Sequence, residues 1–382
     1  MITICPICNS TEWSLIWDRK ASPLHQFLPS GRSACAEDFA PLQIVECRCC
    51  GHLYNRAFDS EVLDRMYTSD HLTNVPVSQG MLRHLEGIQR WIGPEGFEGR
   101  HVIEVGSGSG ALARMMARTA AHVTLIEPSK GIGVSDFSES NIELFSEMFP
   151  PRAPLPPADL VVCRQVLEHI PCPIGMLQDI VSVMGPSGCL YLEVPNADYI
   201  WEHAALFDFH CAHVQYFVPS NLVRLAEQVG LTPLRAHFLN AGRDFGVLFS
   251  RDTRAPFLLK PEEKHGDLEV RLLRRQKAFQ TFFQAKNGGI VLYGATWNGL
   301  AFLNAFDHPA PFRCVLDDNQ QYVGCCLYHP HLVVPVVPSN EDVVRPEETV
   351  IITAYHHASA IEQRLRGLGF VGQILSAADT PA

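Results

Sequence analysis

Apolar residues along this chain fall into two blocks in which short strand-like runs alternate with helically spaced ones. In the first block, strands are expected at 101–105, 122–126, 142–145, 159–163 and 188–194, with a late pair near His237 and Val247. Each is a short run rich in Val, Ile and Leu bounded by turn residues. Between them, 110–118 and 174–184 carry apolar positions at helical spacing, and this alternation predicts a doubly wound parallel sheet. The second block repeats the rhythm on a smaller scale, with strands at 289–294, 312–316 and 349–353 and helices at 295–306 and 358–368. It predicts a second Rossmann-like domain.

Two further segments frame these blocks. Residues 60–91 read as helical, with Val62, Leu63, Met66, Met81, Leu82, Leu85 and Ile88 in register, until Gly93-Pro94-Glu95-Gly96 breaks the pattern. Residues 251–261 read as a linker. Residues 262–286 read as one amphipathic helix, with Leu268, Leu272, Phe279, Phe282 and Phe283 towards the core and Arg271, Arg274, Arg275 and Lys277 on a solvated face.

The first 60 residues follow neither rhythm. Cys5-Pro6-Ile7-Cys8 and Cys47-Arg48-Cys49-Cys50-Gly51 form two cysteine pairs at the spacing of a structural Cys₄ zinc site. Cys50 preserves the two-residue spacing before a tight glycine turn, and Cys49 is the alternative fourth ligand. Four thiolates would leave no open position on Zn²⁺, so the role expected of Cys5, Cys8, Cys47 and Cys50 is structural. The chain is thus expected to be α/β in three parts: a zinc module at 1–60, a Rossmann-like domain with helical lead-in at 61–255, and a second Rossmann-like domain at 256–382.

Composition narrows the class further. The 382 residues are 47% hydrophobic and 19% charged, which excludes a disordered, collagen-like or coiled-coil chain. A formal net charge of −11 argues against nucleic-acid and anionic-membrane surfaces as partners. No apolar run approaches the roughly 20 residues of a membrane span, and residues 1–5 lack the basic lead of a secretory signal, so a cytoplasmic location is expected. Thirteen cysteines then read as thiols and metal ligands rather than disulfides.

The chemistry concentrates after the first strand. Val102-Ile103-Glu104-Val105-Gly106-Ser107-Gly108-Ser109-Gly110 runs an apolar strand into a glycine turn that opens a helix, with Glu104 two residues before the first glycine. Such a turn lets the main chain approach a ligand closely. Glu127 ends the next strand, 17 residues after Gly110, where a carboxylate can accept both hydroxyls of a ribose. The acidic surroundings suit a cationic ligand better than a pyrophosphate.

These residues resemble motif I of class I methyltransferases that use S-adenosylmethionine. Val166-Leu167-Glu168-His169-Ile170 is similar to a segment of many members, as is Tyr191-Leu192-Glu193-Val194-Pro195-Asn196. The resemblance implies that Gly106, Ser107, Gly108 and Gly110 flank the methionine moiety, that Glu127 meets the ribose and that Gln165 lies by the sulfonium. Glu168 and His169 read equally well as a packing pair at a helix start. With the zinc module and the second Rossmann-like domain, nearly the whole chain resembles the deoxysugar C-methyltransferases, which act on nucleotide-linked keto-sugars. His210-Cys211-Ala212-His213-Val214-Gln215-Tyr216-Phe217 matches that family's Y-H-E-H-x-x-Y-F segment at His213, Tyr216 and Phe217, but has Ala212 for its Glu and His210 for its Tyr. Tyr293-Gly294-Ala295 and Asp317-Asp318 are similar to its final domain, whereas Thr296-Trp297-Asn298 lacks the usual Lys and Asn240-Ala241-Gly242-Arg243 is a loose match.

C-methylation needs a base to remove a proton beside a ketone, and polar groups to hold the enolate. His213 is the expected base, titrating near the working range, with His210 second on the same segment and His169 nearby. Tyr216 is expected to orient base or substrate, and Tyr67 to cover the site. Two alternatives stand beside this reading: O- or N-methylation of another small molecule, and a catalytically silent protein that binds a nucleotide-linked ligand.

Overall fold

The computed structural model describes residues 1–61, 79–93, 96–129, 132–252, 266–286, 288–340 and 344–381. Tyr67, Val62, Leu63 and Met66 lie outside them.

Seven strands make the central sheet, in the order Thr232–Leu239, Asp244–Ser250, Met184–Pro195, Ala158–Arg164, His101–Val105, His122–Ile126 and Ile142–Phe145. The last five are parallel to one another, and Asp244–Ser250 runs antiparallel to both its neighbours. Val102, Ile103, Val123, Leu125, Val161 and Val162 are fully buried, as expected where helices cover both faces of a parallel sheet. His101–Val105 pairs with Ala158–Arg164 on one side and His122–Ile126 on the other, so the chain reverses its direction of travel across the sheet at this strand. Side chains at the carboxyl ends of such neighbours face a common crevice.

The strands expected at 101–105, 122–126, 142–145 and 312–316 form with those limits. The helix expected over 174–184 is Pro173–Val183, and Met184 instead opens a strand of 12 residues. Pro186 explains the break, because a proline cannot donate the main-chain hydrogen bond that continues a helix.

A second seven-stranded sheet has the order Gln373–Ser376, Thr349–Ile352, Ile290–Tyr293, Phe312–Leu316, Leu332–Val337, Cys325–His329 and Leu28–Pro29. The hairpin of Cys325–His329 and Leu332–Val337 and the edge strand Gln373–Ser376 extend the three strands read from the sequence. A third, antiparallel sheet orders Trp13–Pro23, Phe39–Cys47, Leu53–Asn55 and Gln215–Tyr216. Leu28–Pro29 therefore ties the N-terminal segment to the second sheet, and Gln215–Tyr216 ties the His213 segment to the third. One apolar core joins these regions, with Trp17, Leu42, Phe207, Phe302 and Tyr328 among its members.

The expected amphipathic helix is Leu268–Ala285, and two of its arginines do not face solvent. Arg275 is buried and donates to the carbonyls of His203 and Ala377; Arg271 donates to those of Trp201 and Glu202. Trp201, Glu202 and His203 close the helix Ala197–His203, where carbonyls lack partners within the helix and attract cations. Periodicity shows which helix face is polar but not that this face meets another helix end. Among the described residues, no helix is long and apolar enough to cross a membrane.

Candidate active site

The turn after His101–Val105 is shaped by backbone that only glycine adopts readily. Gly106, Gly108 and Gly110 have φ of 70°, 53° and 68°. A Cβ on Gly106 would lie 2.3 Å from Val166 Cγ2, and one on Gly110 would lie 2.6 Å from the Phe137 ring. Glu127 holds the turn from the neighbouring strand: it accepts the Gly108 N–H at 2.7 Å and the Ser129 N–H at 3.0 Å. Burial raises its pKa against those two bonds.

The turn opens on a cavity of about 530 Å³, whose wall includes Glu104, Gly106, Ser107 and Ser109. Glu104 is buried, and its Oε2 has no hydrogen-bond partner; neither does Ser107 Oγ. Burial pushes the Glu104 carboxyl up to about 7, with Arg164 opposing the shift and Glu127 adding to it. Two unmatched oxygens on one wall, one of them a carboxylate, are suited to a ligand that brings N–H donors and positive charge.

Next along the wall stands an ion pair that the sequence reading did not single out. Arg164 ends one parallel strand and grips Glu193 on the adjacent strand through two bonds, at 2.9 and 3.2 Å. Glu193 also accepts from Tyr191 at 3.0 Å and faces His84 Nε2 at 3.3 Å. Burial alone would raise the Glu193 pKa, but Arg164 and His84 outweigh it and hold the carboxyl well below the ordinary range. The available signal was one charge near the end of each apolar run, Arg164 after Val161-Val162-Cys163 and Glu193 after Leu190-Tyr191-Leu192.

Gln165 has φ of 53°, unusual for a residue with a side chain, and such strain collects at functional sites. The conformation aims Nε2 towards Asp244 Oδ1 at 3.3 Å. Gln165 lies on the cavity wall.

The histidines converge on the same cavity. His169, His210, His213 and Tyr216 all line it. Ring centroids of His213 are 4.0 Å from His210 and 4.9 Å from His169. The Val214 N–H donates to the Glu168 carbonyl at 2.8 Å, and His169 Nδ1 lies 2.7 Å from the Ala212 carbonyl, so the two segments are stitched together. A carbonyl only accepts; His169 therefore carries its proton on Nδ1 when neutral and presents a lone pair at Nε2. The expectation that His213 titrates near the working range is corrected: burial, then His210, His169 and Arg243, push its pKa well below 6.5. His210 falls to about 3 through burial and His169. The site thus holds neutral imidazoles. Tyr216 is buried, with its hydroxyl 3.4 Å from both the N–H and the carbonyl of His210, so it closes the His210–Tyr216 loop.

The far wall comes from the C-terminal region. Trp297 stacks on His210 with centroids 5.0 Å apart, and Asn298 donates to Asp208 at 2.7 Å. Arg243 pairs with the same Asp208 and lies 4.4 Å from the Tyr355 ring. Trp297 and Asn298, two of the three residues of the segment read as a departure, belong to the cavity wall.

Away from the cavity, Cys5, Cys8, Cys47 and Cys50 bring their sulfurs within 4.8 Å of one another. The pairs Cys5–Cys50 and Cys8–Cys47 are 3.6 and 3.5 Å apart, close to the spacing of donors on a tetrahedral zinc with Zn–S bonds of about 2.3 Å. Cys49 is exposed and outside the cluster.

A sheet of this order, with a glycine turn and an acidic strand end at its reversal point, defines a nucleotide-type α/β site, and comparison with known proteins gives it a class. Residues 82–236 match the methyltransferase domain family. The chain is 28% identical over 156 residues to the ubiquinone biosynthesis O-methyltransferase of Aeromonas salmonicida (strain A449), a match that covers 36% of this chain and 64% of that one. It is 24% identical over 266 residues to the C-methyltransferase NovU of Streptomyces niveus, covering 67% of this chain and 62% of the relative. It therefore spans a little under two thirds of the length of these relatives. Among solved structures, the magnesium protoporphyrin IX methyltransferase (ChlM) from Synechocystis PCC 6803 with bound SAM is 14% identical, with a TM-score of 0.40, over 52% of this chain and all of that one.

Proposed function

We propose that this protein is an S-adenosylmethionine-dependent methyltransferase for a small molecule, with a nucleotide-linked keto-sugar as the preferred acceptor and carbon as the methylated atom. One observation carries the reading: the glycine turn and the unpartnered Glu104 Oε2 share a cavity wall with the histidine cluster. The cofactor fits these residues, because its ammonium group matches the orphaned Glu104 and Ser107 oxygens and the glycine cradle has no room for side chains. Glu104, Gly106, Ser107, Gly108, Gly110 and Gln165 would hold it. Glu127 would share its carboxylate between the turn it already supports and the ribose.

When bound, S-adenosylmethionine supplies an electrophilic methyl group on a sulfonium. The chain's own task is to align the acceptor and to take its proton. His213, as a neutral imidazole, accepts the proton from the carbon beside the ketone, and the electron pair left behind moves onto the ketone oxygen. His169 and His210 flank that base. Arg164 and Glu193 stiffen the floor, while Trp297, Asn298 and Arg243 orient the acceptor from the opposite wall. O-methylation is the second reading, favoured by Ala212: the resembled C-methyltransferases place a Glu there, and a phenol ionises more easily than a carbon acid.

We assign the division 1–60, 61–255 and 256–382 to a zinc module, the methyltransferase domain and an acceptor-binding Rossmann-like domain. The sulfur spacing supports zinc in the Cys₄ cluster, and Cys50→Ser should release the metal whereas Cys49→Ser should retain it. Calorimetric titration of the full chain with S-adenosylhomocysteine tests the main reading. Binding is expected; folded protein that does not bind would overturn the methyltransferase assignment.

A further inference from the structure

Glu168 is the most anomalous buried group in the cavity. Its side chain is about 1% exposed, yet neither carboxylate oxygen has a hydrogen-bond partner. An unmatched buried carboxylate is costly, and a native structure retains one where something else completes it. His169 Nε2 stands 3.8 Å from Glu168 Oε1. That separation is too long for a hydrogen bond. His169 Nδ1 is engaged by the Ala212 carbonyl at 2.7 Å, so in the neutral ring a lone pair points at a carboxylate oxygen across a gap. His213 offers a third donor: one ligand atom from each of Glu168, His169 and His213 lies within 4.8 Å of the other two.

We propose that Glu168, His169 and His213 form a binding site for a divalent first-row transition-metal ion on the cavity wall. Ligand bonds of about 2.0–2.2 Å place two donors on one ion roughly 3 to 4 Å apart, so the 3.8 Å gap suits a shared metal and the widest pair needs to close by less than about an ångström. The His169 bond to Ala212 is the outer-shell contact that metal-bound histidines use to fix their tautomer and orientation. Two imidazole nitrogens and one carboxylate select Mn²⁺, Fe²⁺, Co²⁺ or Zn²⁺ over Mg²⁺ or Ca²⁺, and three protein ligands leave positions open. All three residues line the cavity, so the open positions face the acceptor. This site differs in kind from the cysteine cluster, which is closed by four sulfurs.

The metal's role, unlike its site, rests on the methyltransferase reading. An ion there would bind the acceptor's ketone or phenol oxygen and stabilise the negative charge left when the proton departs. With the His213 lone pair on the metal, the base role given above to the metal-free His213 would pass to His210, whose ring is 4.0 Å from His213 and whose Nδ1 has no partner. The proton would move from the acceptor's carbon or hydroxyl to His210, and the electron pair would come to rest on the acceptor's oxygen, whose charge the ion would offset.

The test uses the full chain with its cysteine cluster left loaded. The protein is dialysed against citrate and titrated with Co²⁺, followed by calorimetry and visible absorption. One equivalent is expected, with the weak bands of nitrogen and oxygen ligation and no thiolate charge transfer. Glu168→Gln and, separately, His213→Ala should each weaken this uptake at least tenfold, with thermal melts confirming the fold. Folded wild type that takes up no such equivalent overturns the site, as does uptake that both variants leave unchanged. S-adenosylhomocysteine titration of the same samples separates the two assignments: binding of that ligand without Co²⁺ uptake removes only the metal, and Co²⁺ uptake without it removes only the methyltransferase reading.

Discussion

The two seven-stranded sheets, each with a parallel core, position their first turns with the same device and use it to different ends. In the central sheet, Glu127 follows the second strand, accepts the Gly108 N–H at 2.7 Å and closes its own turn through Ser129 at 3.0 Å. In the second sheet, Asp317 follows the second strand, accepts the Ala295 N–H at 2.7 Å and closes its own turn through Asn319 at 2.8 Å. What lies in front of each turn differs. Gly106 faces the cavity, whereas Gly294 is packed against Ala354, and its carbonyl lies 2.2 Å from where a Cβ on Gly299 would be. Thr353 donates to the Tyr293 and Gly294 carbonyls, and Gln26 from the N-terminal segment caps the Ala295 carbonyl at 3.0 Å. Thr296 Oγ1 is buried without a partner, but it is not on the wall of the 530 Å³ cavity. An acid that organises a glycine turn is therefore part of the fold, and the open space with unmatched oxygens marks a ligand.

The sharpest way to break this contrast is Gly106→Val. The residue has φ of 70° and its new Cβ would collide with Val166, so the turn must move away from the cavity. S-adenosylhomocysteine affinity should fall at least about 100-fold by calorimetry, the loss expected when a helix-opening turn no longer approaches its ligand. Retention within a factor of three would show that the cofactor lies elsewhere.

Next in size is His213→Ala. Positioned bases contribute roughly 10²–10⁴-fold, so turnover should fall by that range while the dissociation constant for S-adenosylhomocysteine stays within about twofold. An unchanged rate removes His213 from the chemistry. A parallel loss of cofactor affinity would instead mean that the histidine wall and the glycine turn are one binding surface.

The difference between the two turns also explains what the sequence could and could not disclose. Strand runs such as 101–105 and 312–316 were legible because burial of most of their positions demands short, mainly apolar runs. The glycine turn and the cysteine pairs were legible because positive φ and metal spacing leave local marks. Asp208, Arg243, Asn298 and Trp297 meet only through the packing of three sheets, and no local pattern records that. Arg275 was misassigned for the same reason: its solvated face became a contact with the end of a helix more than 70 residues earlier. The depressed His213 pKa reflects burial first, then His210 on its own segment and, brought in by the fold, His169 and Arg243.

A smaller effect follows from Glu104. Its carboxyl is raised by burial to about 7, opposed by Arg164 and reinforced by Glu127. The folded protein therefore holds this proton more tightly than the unfolded chain does. The stability that the proton contributes is complete below about 4.5 and is lost as pH rises through about 7. A ligand ammonium needs the charged form, so S-adenosylhomocysteine affinity should rise about tenfold per pH unit up to about 7 and then level off. Glu104→Gln should bind weakly and lose this slope. A wild-type affinity that is flat between pH 5 and 7 would show that Glu104 does not meet the cofactor's charge.

The smallest expected change tests the other side of the comparison. Asp317→Ala removes an acid that accepts two main-chain N–H groups, the same count as Glu127. If the second turn is architecture alone, the variant should lose the roughly 1–3 kcal/mol that an unsatisfied buried group costs. Its melting temperature should then fall by several degrees, and S-adenosylhomocysteine affinity should move by less than about twofold. Glu127→Ala leaves the same number of donors unmatched, so its melting temperature should fall by a similar amount, but its cofactor affinity should fall with it because that turn faces the cavity. Equal losses of affinity in both variants would dissolve the distinction and give the second sheet a direct part in holding the cofactor.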